Sequence, residues 1–195
     1  MTDPLADEPQ FTAAEIDQVA ELLTGANGSP SAARSETRIV AIDGRSGAGK
    51  STLADLVAAL TGATVISLEF LYGGWHDLEG GAKRACESAI EPLAKGKNAV
   101  IPQFDWLAET WGEPLVIEPG GLVIVEGAGA FTRRAELSVR AGIWLEAPEA
   151  VRRARANARD DGAFAAWWPV WAEQEAAHLA VEKTPTRATV TLLTG

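Results

Sequence analysis

Apolar and polar positions form two kinds of pattern along the chain, and together they predict strands that alternate with helices. Residues 38–42, 122–125 and 142–146 are short apolar runs without alternation, which is typical of strands covered on both faces of a sheet. Residues 63–68 and 187–193 are predicted as two further strands. The segments predicted as helices are 50–61, 79–95, 132–140, 148–160 and 163–183. Strands that alternate with helices indicate parallel βαβ units, so we predict an α/β domain.

The region before the first predicted strand has a different character. Residues 11–24 place apolar side chains on one helical face, which predicts an amphipathic helix. Thr12 and Glu15 stand at the two positions of a capping box at its start. Residues 1–10 are predicted to be disordered, and 25–36 are predicted as a linker because small residues dominate there.

These patterns divide the chain into two parts. An N-terminal helical extension with its linker occupies residues 1–36, and the main domain occupies residues 37–195. Two extended segments within the main domain, 98–104 and 113–118, do not fit the alternation of strand and helix. We predict that they form a β-hairpin-like insertion at about residues 98–118.

Composition and charge exclude several classes of partner. The chain of 195 residues is 47% hydrophobic, as in ordinary globular proteins, and its net charge at pH 7 is −10. An acidic surface repels phosphate backbones and anionic lipids, so we expect neither nucleic acid nor a membrane as a partner. The single cysteine, Cys86, rules out an internal disulfide. Because we also find no signal-peptide pattern and no apolar window of spanning length, we expect a cytoplasmic protein.

The most specific motif is GRSGAGKS at residues 44–51, which matches G-x-x-x-x-G-K-[ST] and lies between a predicted strand and a predicted helix. Its glycines let the backbone turn its N–H groups toward phosphate oxygens. Lys50 reaches the β- and γ-phosphates, and Ser51 offers its hydroxyl to Mg²⁺. The competing interpretation is a glycine-rich turn without a ligand. The residues predicted to bind the nucleotide here are Gly44, Arg45, Ser46, Gly47, Ala48, Gly49, Lys50, Ser51 and Thr52.

A second feature is the acid at the end of the predicted strand 122–125. Glu126 follows this strand directly and precedes Gly127, as in the Walker B arrangement. A carboxylate placed there can hold Mg²⁺ or its water. Many buried strands also end in an acid before a glycine turn, which is the competing interpretation. Together with the glycine-rich loop, the pattern favours Ser51 and Glu126 as metal-binding residues.

Three arginines form a third feature. Arg152, Arg155 and Arg159 are spaced so that they share one face of the predicted helix. Like charges so placed repel each other in an isolated helix. A bound triphosphate would reverse that effect, because arginine suits the charge of a transferring phosphoryl group. In the competing interpretation this is a solvated basic face, paired with Glu149 and the acidic residues 160–161.

Six stretches in one order resemble the uridine kinase family, and more broadly the uridine kinase/phosphoribulokinase branch of P-loop kinases. The chain also resembles actinobacterial uridine-kinase-like ATP-binding proteins. A P-loop alone is shared by a very large superfamily, so the order of all six stretches within residues 38–193 carries the resemblance. They are GRSGAGKST (44–52), SLEFLY (67–72), IPQFDW (101–106), IVEG (124–127), RRARANARD (152–160) and PTRA (185–188).

The resemblance implies a P-loop NTPase fold, in which a five-stranded parallel sheet of order 2-3-1-4-5 is flanked by helices and the insertion is a lid. It implies ATP and Mg²⁺ as cofactors, a small-molecule acceptor, and Glu69 as the base that takes the proton of the acceptor hydroxyl. The residues implied for catalysis are Lys50, Glu69, Arg155 and Arg159. Those implied for ATP binding beyond the loop are Arg152 and Arg187. Those implied for acceptor binding are Asp43, Tyr72, Trp75, Phe104, Asp105 and Trp106.

The chain departs from the family's pattern mainly on the acceptor side. Glu69, followed by Phe70, stands where the family has an aspartate. Glu109 stands in place of a histidine and Trp111 in place of an arginine, both of which help to hold the uracil nucleoside in the family. Thr189 replaces the final aspartate of the adenine-side pattern. ATP binding therefore carries over to this chain, whereas uridine as the acceptor does not.

Several alternatives stay open at this level. The acceptor is nucleoside-like, or it is another small molecule such as a nucleotide, a sugar or pantothenate, or the protein is an ATP-binding sensor with weak catalysis. Trp75, Trp106 and Trp111 suit stacking on an acceptor, or they fill gaps in a core. Trp167, Trp168 and Trp171 are predicted to lie in the core or in an interface, so a homodimer is a further hypothesis.

Overall fold

The computed structural model describes residues 10–25, 36–159 and 162–195. Three expectations therefore lie wholly or largely outside the described residues. They are the disorder of residues 1–10, the linker at 25–36, and the pairing of the acidic residues 160–161 with the arginines before them.

Within the described ranges, a parallel sheet of five strands forms the centre of the molecule. Its strands are β1 (Thr37–Gly44), β2 (Thr64–Ser67), β7 (Gly121–Glu126), β8 (Ala141–Glu146) and β9 (Val190–Leu193). Their order across the sheet is β2-β7-β1-β8-β9. When the five strands of this sheet are counted along the chain from one to five, their order is 2-3-1-4-5, as the resemblance implies.

Helices pack on both faces of this sheet. They are α1 (Ala13–Thr24), α2 (Lys50–Thr61), α3 (Leu78–Arg84), α4 (Glu91–Ala94), α5 (Arg133–Glu136), α6 (Glu149–Arg159), α7 (Trp168–Glu182) and α8 (Thr184–Arg187). A π-helical segment, Ala85–Ile90, joins α3 to α4 and completes the helix predicted at 79–95. Among these described helices, none is long and apolar enough to cross a membrane.

Two predicted elements are shorter than the apolar pattern indicated. The helix predicted at 132–140 is limited to α5. Arg140 already donates its N–H to the carbonyl oxygen of Ile39 at 2.7 Å, so the chain pairs with β1 one residue before β8 begins. The last strand was predicted at 187–193 but begins at Val190. The residues before it form α8, in which a proline occupies the first turn.

The insertion forms two antiparallel strand pairs. Its strands are β3 (Ala99–Ile101), β4 (Phe104–Asp105), β5 (Thr110–Trp111) and β6 (Leu115–Ile117). β3 pairs with β6, and β4 pairs with β5 at the far end. These pairings confirm the predicted hairpin-like insertion, while its action as a lid stays a prediction.

The N-terminal helix shares a hydrophobic core with the main domain. Thr12 Oγ1 accepts a hydrogen bond from the Glu15 N–H, and the Glu15 carboxylate accepts one from the Thr12 N–H at 2.8 Å, which confirms the capping box. Phe11, Val19 and Leu23 are buried in the same cluster as α2 and the face of the sheet beneath it. The opposite face of the sheet packs against α3, α4 and part of α7.

Candidate active site

The carboxyl ends of three strands bring distant segments of the chain together. In the register of the sheet, Ile42 of β1 and Ser67 of β2 both pair with Glu126 of β7. Because neighbouring parallel strands end at the same edge, the loops that follow them meet there. A cavity of about 270 Å³ lies at this edge. Its lining residues are Ser46, Gly47, Lys50, Ser51, Ser67, Glu69, Tyr72, Trp75, Trp106, Glu126, Gly127, Ala128, Arg159, Phe164 and Trp171.

The glycine-rich loop between β1 and α2 forms one wall of this cavity. At Gly47 the backbone is in the left-handed region, with φ of 79°, and an added Cβ would lie 2.1 Å from the carbonyl oxygen of Arg152. Glycine is therefore required there by both conformation and space. Lys50 and Ser51, at the start of α2, line the cavity. The loop thus brings a cation, a hydroxyl and a helix N-terminus to one place, as predicted for phosphate binding.

Other residues predicted for the nucleotide are not among the described residues that line the cavity. They are Gly44, Arg45, Ala48, Gly49 and Thr52. The carbonyl oxygen of Ala48 accepts hydrogen bonds from Gln10 Nε2 at 3.3 Å and from Thr194 Oγ1 at 2.8 Å. Segments near both ends of the chain therefore support the loop from outside. The role of these residues in nucleotide binding stays a prediction.

Glu126, at the end of β7, is buried against the loop. Burial raises the pKa of its carboxyl, while the charge of Lys50 and hydrogen bonds with Ser67 and Ser51 oppose the shift. The described residues contain no group of three or more His, Cys, Asp or Glu side chains that would enclose a metal ion. Mg²⁺ does not need such a group, since one or two protein oxygens together with phosphates and water usually hold it. Ser51 and Glu126 both line the cavity and so fit Mg²⁺.

Glu69 lies at the mouth of the cavity, in a 3₁₀ turn that follows β2 directly. The Ser67 hydroxyl caps this turn by accepting the Glu69 N–H at 3.3 Å. On its other side, the indole N–H of Trp106 donates to the carbonyl oxygen of Glu69 at 2.9 Å. The insertion is thus tied to the turn that carries the candidate base, and the Glu69 side chain remains exposed to solvent.

Aromatic rings form a second wall of the cavity, in addition to the wall formed by the glycine-rich loop. The ring centroid of Trp75 lies 4.8 Å from Trp106 and 5.2 Å from Phe164. Tyr72 is fixed in this wall because its hydroxyl donates to the carbonyl oxygen of Ala128 at 2.9 Å. Tyr72, Trp75 and Trp106 were predicted for the acceptor, and the structure brings all three to the cavity.

The three arginines of α6 have different surroundings. Arg159 lines the cavity, at the last residue of the helix. Arg152 is buried and donates to the carbonyl oxygens of Ala147 at 3.1 Å and Ser46 at 3.2 Å. Arg155 donates to the carbonyl oxygen of Thr194 at 2.6 Å. The structure therefore places Arg159 with the other candidate groups, and Arg152 and Arg155 in contacts with the backbone.

Asp43 was predicted to contact the acceptor, and the structure does not bring it to the cavity. It is 1% exposed, and its carboxylate accepts backbone N–H bonds from Gly44, Gly129 and Phe131 at 2.7, 2.9 and 3.0 Å. Burial raises the pKa of this carboxyl, although the three N–H groups and the charge of Lys50 oppose the shift. Asp43 therefore joins the loop after β7 to the end of β1.

Two predicted acceptor residues in the insertion also have local contacts. Phe104 is buried, with its ring 5.5 Å from Trp106 and 5.2 Å from Trp111, so it forms the small core of the β4–β5 pair. Asp105 Oδ1 accepts N–H bonds from residues 107 and 108, each at 2.9 Å, which caps the turn between these strands. The described lining of the cavity includes neither residue.

Arg187 was predicted for ATP binding and lies elsewhere among the described residues. Its guanidinium forms ion pairs with Glu136 and Glu182. It also donates to the carbonyl oxygen of Phe131 at 2.9 Å and stacks over that ring, 5.1 Å from its centroid. These contacts join α8 to α5, and Arg187 is not among the described residues that line the cavity.

Five of the described lining residues were not predicted for the site: Ser67, Gly127, Ala128, Phe164 and Trp171. Ser67 was detectable in principle, because it ends β2 just before Glu69. Trp171 was expected in the core or an interface; it is 5% exposed and its ring lies 4.8 Å from that of Tyr72. Phe164 belongs to a short 3₁₀ helix after α6, where no sequence motif marked it.

Comparisons with solved structures identify the fold. A possible uridine kinase from Bacillus stearothermophilus matches with a TM-score of 0.64 and 14% identity, over 92% of this chain and 97% of that chain. A proposed fructose transport system kinase from Silicibacter sp. TM1040 matches with a TM-score of 0.56 and 23% identity, over 93% and 99%. No protein-family model and no curated protein sequence matches the chain. The chain therefore has the α/β fold of uridine kinase-like and related P-loop kinases.

Proposed function

We propose that the protein is a kinase that uses Mg²⁺ and ATP to phosphorylate a hydroxyl group of a small acceptor. One observation carries this proposal. Lys50, Ser51, Glu126 and Glu69 line a single cavity at the carboxyl ends of neighbouring parallel strands. This set combines a phosphate-binding cation, two oxygens suited to Mg²⁺ and a carboxylate able to accept a proton.

In the proposed reaction, the acceptor oxygen attacks the γ-phosphorus, and the bond from this phosphorus to the β–γ bridging oxygen breaks to release ADP. The proton of the acceptor hydroxyl passes to the Glu69 carboxylate. Lys50 stabilises the negative charge on the phosphates, and Arg159 contributes a second cation beside the cavity. Ser51 and Glu126 would hold Mg²⁺, which would neutralise charge on the phosphate oxygens.

The aromatic wall supports a nucleoside-like acceptor. Tyr72, Trp75 and Trp106 offer ring surface close to Glu69, and a flat or apolar acceptor face packs well against rings. The described lining residues with positive charge, Lys50 and Arg159, are assigned to the phosphates of ATP. An anionic acceptor would therefore meet the Glu69 carboxylate without a dedicated cation, which disfavours a phosphorylated one.

Two alternatives follow from specific observations. The fold is shared with structures that carry different kinase names, a possible uridine kinase and a proposed fructose transport system kinase. This variety supports another small acceptor such as a sugar, a nucleotide or pantothenate. The exposed Glu69, one methylene longer than the family's aspartate, supports an ATP-binding sensor or regulatory protein with weak catalysis. A cytoplasmic protein and a homodimer also stay proposals from the sequence.

The test is an assay of ADP formation with Mg·ATP and a panel of nucleosides, sugars, nucleotides and pantothenate. Nucleotide affinity is measured in parallel with a fluorescent ATP analogue. We expect turnover with a neutral, ring-containing acceptor, and we expect Lys50→Ala to abolish tight ATP binding. Lys97→Ala, at an exposed position outside the cavity lining, is the control.

Two outcomes would change the conclusion. Tight Mg·ATP binding without transfer to any member of the panel would favour the sensor over the kinase. Unchanged ATP affinity in Lys50→Ala would overturn nucleotide binding in the glycine-rich loop, and with it the proposed function.

A further inference from the structure

We propose that Arg152 and Glu175 are positioning residues that hold the backbone N–H and C=O groups of Ser46, in the glycine-rich loop, in the nucleotide-binding conformation. This inference rests on the proposed function, because it assigns residues that act on the same loop. Arg152 belongs to α6 and Glu175 to α7. One helix therefore supplies a donor to the Ser46 carbonyl oxygen, and the other supplies an acceptor to the Ser46 N–H.

Glu175 controls the N–H group of Ser46. Its Oε1 accepts this N–H at 2.6 Å, across 129 residues of sequence. The Glu175 side chain is 4% exposed, so this bond lies away from water. A hydrogen bond to a buried carboxylate is stronger than a neutral one and is costly to leave unmade. The contact therefore fixes the direction of the Ser46 N–H.

Arg152 controls the carbonyl group of the same residue. Its Nη1 donates to Ser46 O at 3.2 Å, and its Nε donates to Ala147 O at 3.1 Å. The guanidinium also stacks over the ring of Trp168, 5.6 Å from the centroid, and the side chain is 4% exposed. Close packing adds to this hold, because the Arg152 carbonyl oxygen occupies the space that a Cβ at Gly47 would need.

The two helices also carry parts of the cavity. Arg159 ends α6, and Trp171 lies one turn before Glu175 on α7. Gln174, next to Glu175, donates to the carbonyl oxygen of Trp75 at 2.7 Å and so holds another part of the aromatic wall. The contacts at Ser46 therefore link the loop to the helix that carries Arg159 and to the helix that supports the aromatic wall.

The experiment compares two variants at each position with an exposed neighbour on the same helix. Glu175→Leu cannot accept the N–H, whereas Glu175→Gln can. Arg152→Met cannot donate, whereas Arg152→Lys can. The controls are Glu173→Gln and Arg153→Met, both at exposed positions. Affinity for the fluorescent ATP analogue, KM for ATP and hydrogen exchange of the peptide that contains Ser46 are measured for each protein.

We expect Glu175→Leu and Arg152→Met to weaken ATP binding by roughly 10-fold, since a buried hydrogen bond to a charged group is lost. In Glu175→Leu, the Ser46 amide should also exchange faster. The conservative variants should stay within about 3-fold of the parent, because they keep a bond at Ser46. If Glu175→Leu does not fold, Glu175→Asp, which retracts the carboxylate, takes its place with the same expected direction.

Unchanged ATP affinity and unchanged protection of the Ser46 amide in Glu175→Leu would overturn the inference. Equal losses in Glu175→Leu and Glu175→Gln would also overturn it, because the bond to the N–H would then not be the cause. Lys50→Ala is measured beside these variants. If Lys50→Ala loses ATP affinity while Glu175→Leu keeps it, the positioning role fails alone; if both keep it, the proposed nucleotide site fails.

Discussion

The two halves of the cavity are built in different ways. The proposed nucleotide half is built mainly from one continuous segment, the loop from β1 to α2 with the adjacent Lys50 and Ser51. Glu126 of β7 and Arg159 of α6 add one side chain each to it. The acceptor half consists of side chains from four separate parts of the chain. They are Tyr72 and Trp75 after β2, Trp106 in the insertion, Phe164 after α6, and Trp171 in α7.

Because of this difference, we expect the two halves to tolerate substitutions differently. A loop that binds phosphate through its backbone N–H groups depends on glycine at defined positions and cannot be replaced by another segment of the molecule. A wall of aromatic rings depends on packing, and a substitution of similar shape is usually tolerated at modest cost. We therefore expect changes in the reacting groups to have the largest effects, changes in the loop intermediate effects, and changes in the aromatic wall the smallest.

The largest effect is expected at Glu69, where the two halves meet. Glu69→Gln keeps the shape of the side chain but cannot accept a proton, so kcat should fall by roughly 10²–10⁴-fold. Affinity for ATP should stay unchanged, because Glu69 is not part of the loop that we propose to bind ATP. The measurement is steady-state turnover with the best acceptor of the panel, beside binding of the fluorescent ATP analogue. Glu118→Gln, at an exposed position, is the control. Equal turnover in the parent and in Glu69→Gln would reject Glu69 as the base.

The next effect is expected in the loop at Gly47. Gly47→Ala combines a left-handed backbone with a clash against the Arg152 carbonyl oxygen, and overpacking of this kind costs about 1–3 kcal/mol. We expect weaker ATP binding by roughly 10- to 100-fold. Gly62→Ala is the matched control, because Gly62 also has a positive φ, of 73°, but nothing lies within 4 Å of an added Cβ. If both variants bind ATP alike, the close approach of α6 does not shape the loop.

Asp43 joins the end of β1 to the loop after β7, and the raised pKa of its carboxyl provides a test of these contacts. Asp43→Asn places an amide where the carboxylate accepts the Phe131 N–H, so we expect a loss of about 1–3 kcal/mol in the free energy of unfolding. Burial raises the pKa of folded Asp43 above its ordinary value, so folding favours the protonated form. The contribution of Asp43 to stability is therefore present below about pH 4 and is lost as the pH rises through the folded pKa.

The stability difference between the parent and Asp43→Asn should accordingly shrink as the pH rises from about 4 toward 7, since the variant lacks this titration. Denaturant unfolding at several pH values measures it. A constant difference across this range would contradict the raised pKa of Asp43.

The smallest effect is expected in the aromatic wall. Trp106→Phe keeps a ring near Trp75 and Phe104 but loses the bond from the indole N–H to Glu69 O. Loss of one such bond should raise KM for the acceptor by about 2- to 10-fold and leave KM for ATP unchanged. Trp111→Phe, in the same insertion but outside the cavity lining, is the comparison. A larger effect on ATP than on the acceptor would show that the two halves are not separate.

Much of the fold was predictable because its signals are local. The capping box at Thr12 and Glu15 needs a few neighbouring residues, and so does the start of α2 after the glycine-rich loop. The parallel sheet followed from apolar runs that are buried on both faces, and its order followed from the resemblance to P-loop kinases. The lengths of α5 and of the last strand were less predictable, because a backbone contact with β1 and a short helix limit them.

The candidate site was predictable in part. Lys50, Ser51, Glu69 and Glu126 follow strand ends that meet at one edge, and the cavity contains all four. Helical spacing put three arginines on one face of α6. In the structure, Arg152 and Arg155 donate to backbone oxygens away from the cavity lining, and Arg159 lines the cavity. Spacing along a helix defines the direction in which a side chain leaves the axis, but not what lies there.

Short-range periodicity and glycine conformation were enough to predict the alternation of strands and helices, the glycine-rich loop after β1, and the acids at the end of β7 and just after β2. Packing between distant segments, in contrast, gives Asp43 and Arg152 backbone hydrogen-bond partners and places Trp171 in the aromatic wall. Glu175, 129 residues away from Ser46 in the chain, contacts it for the same reason. Such contacts arise when distant segments pack together, and no pattern within either segment specifies the partner.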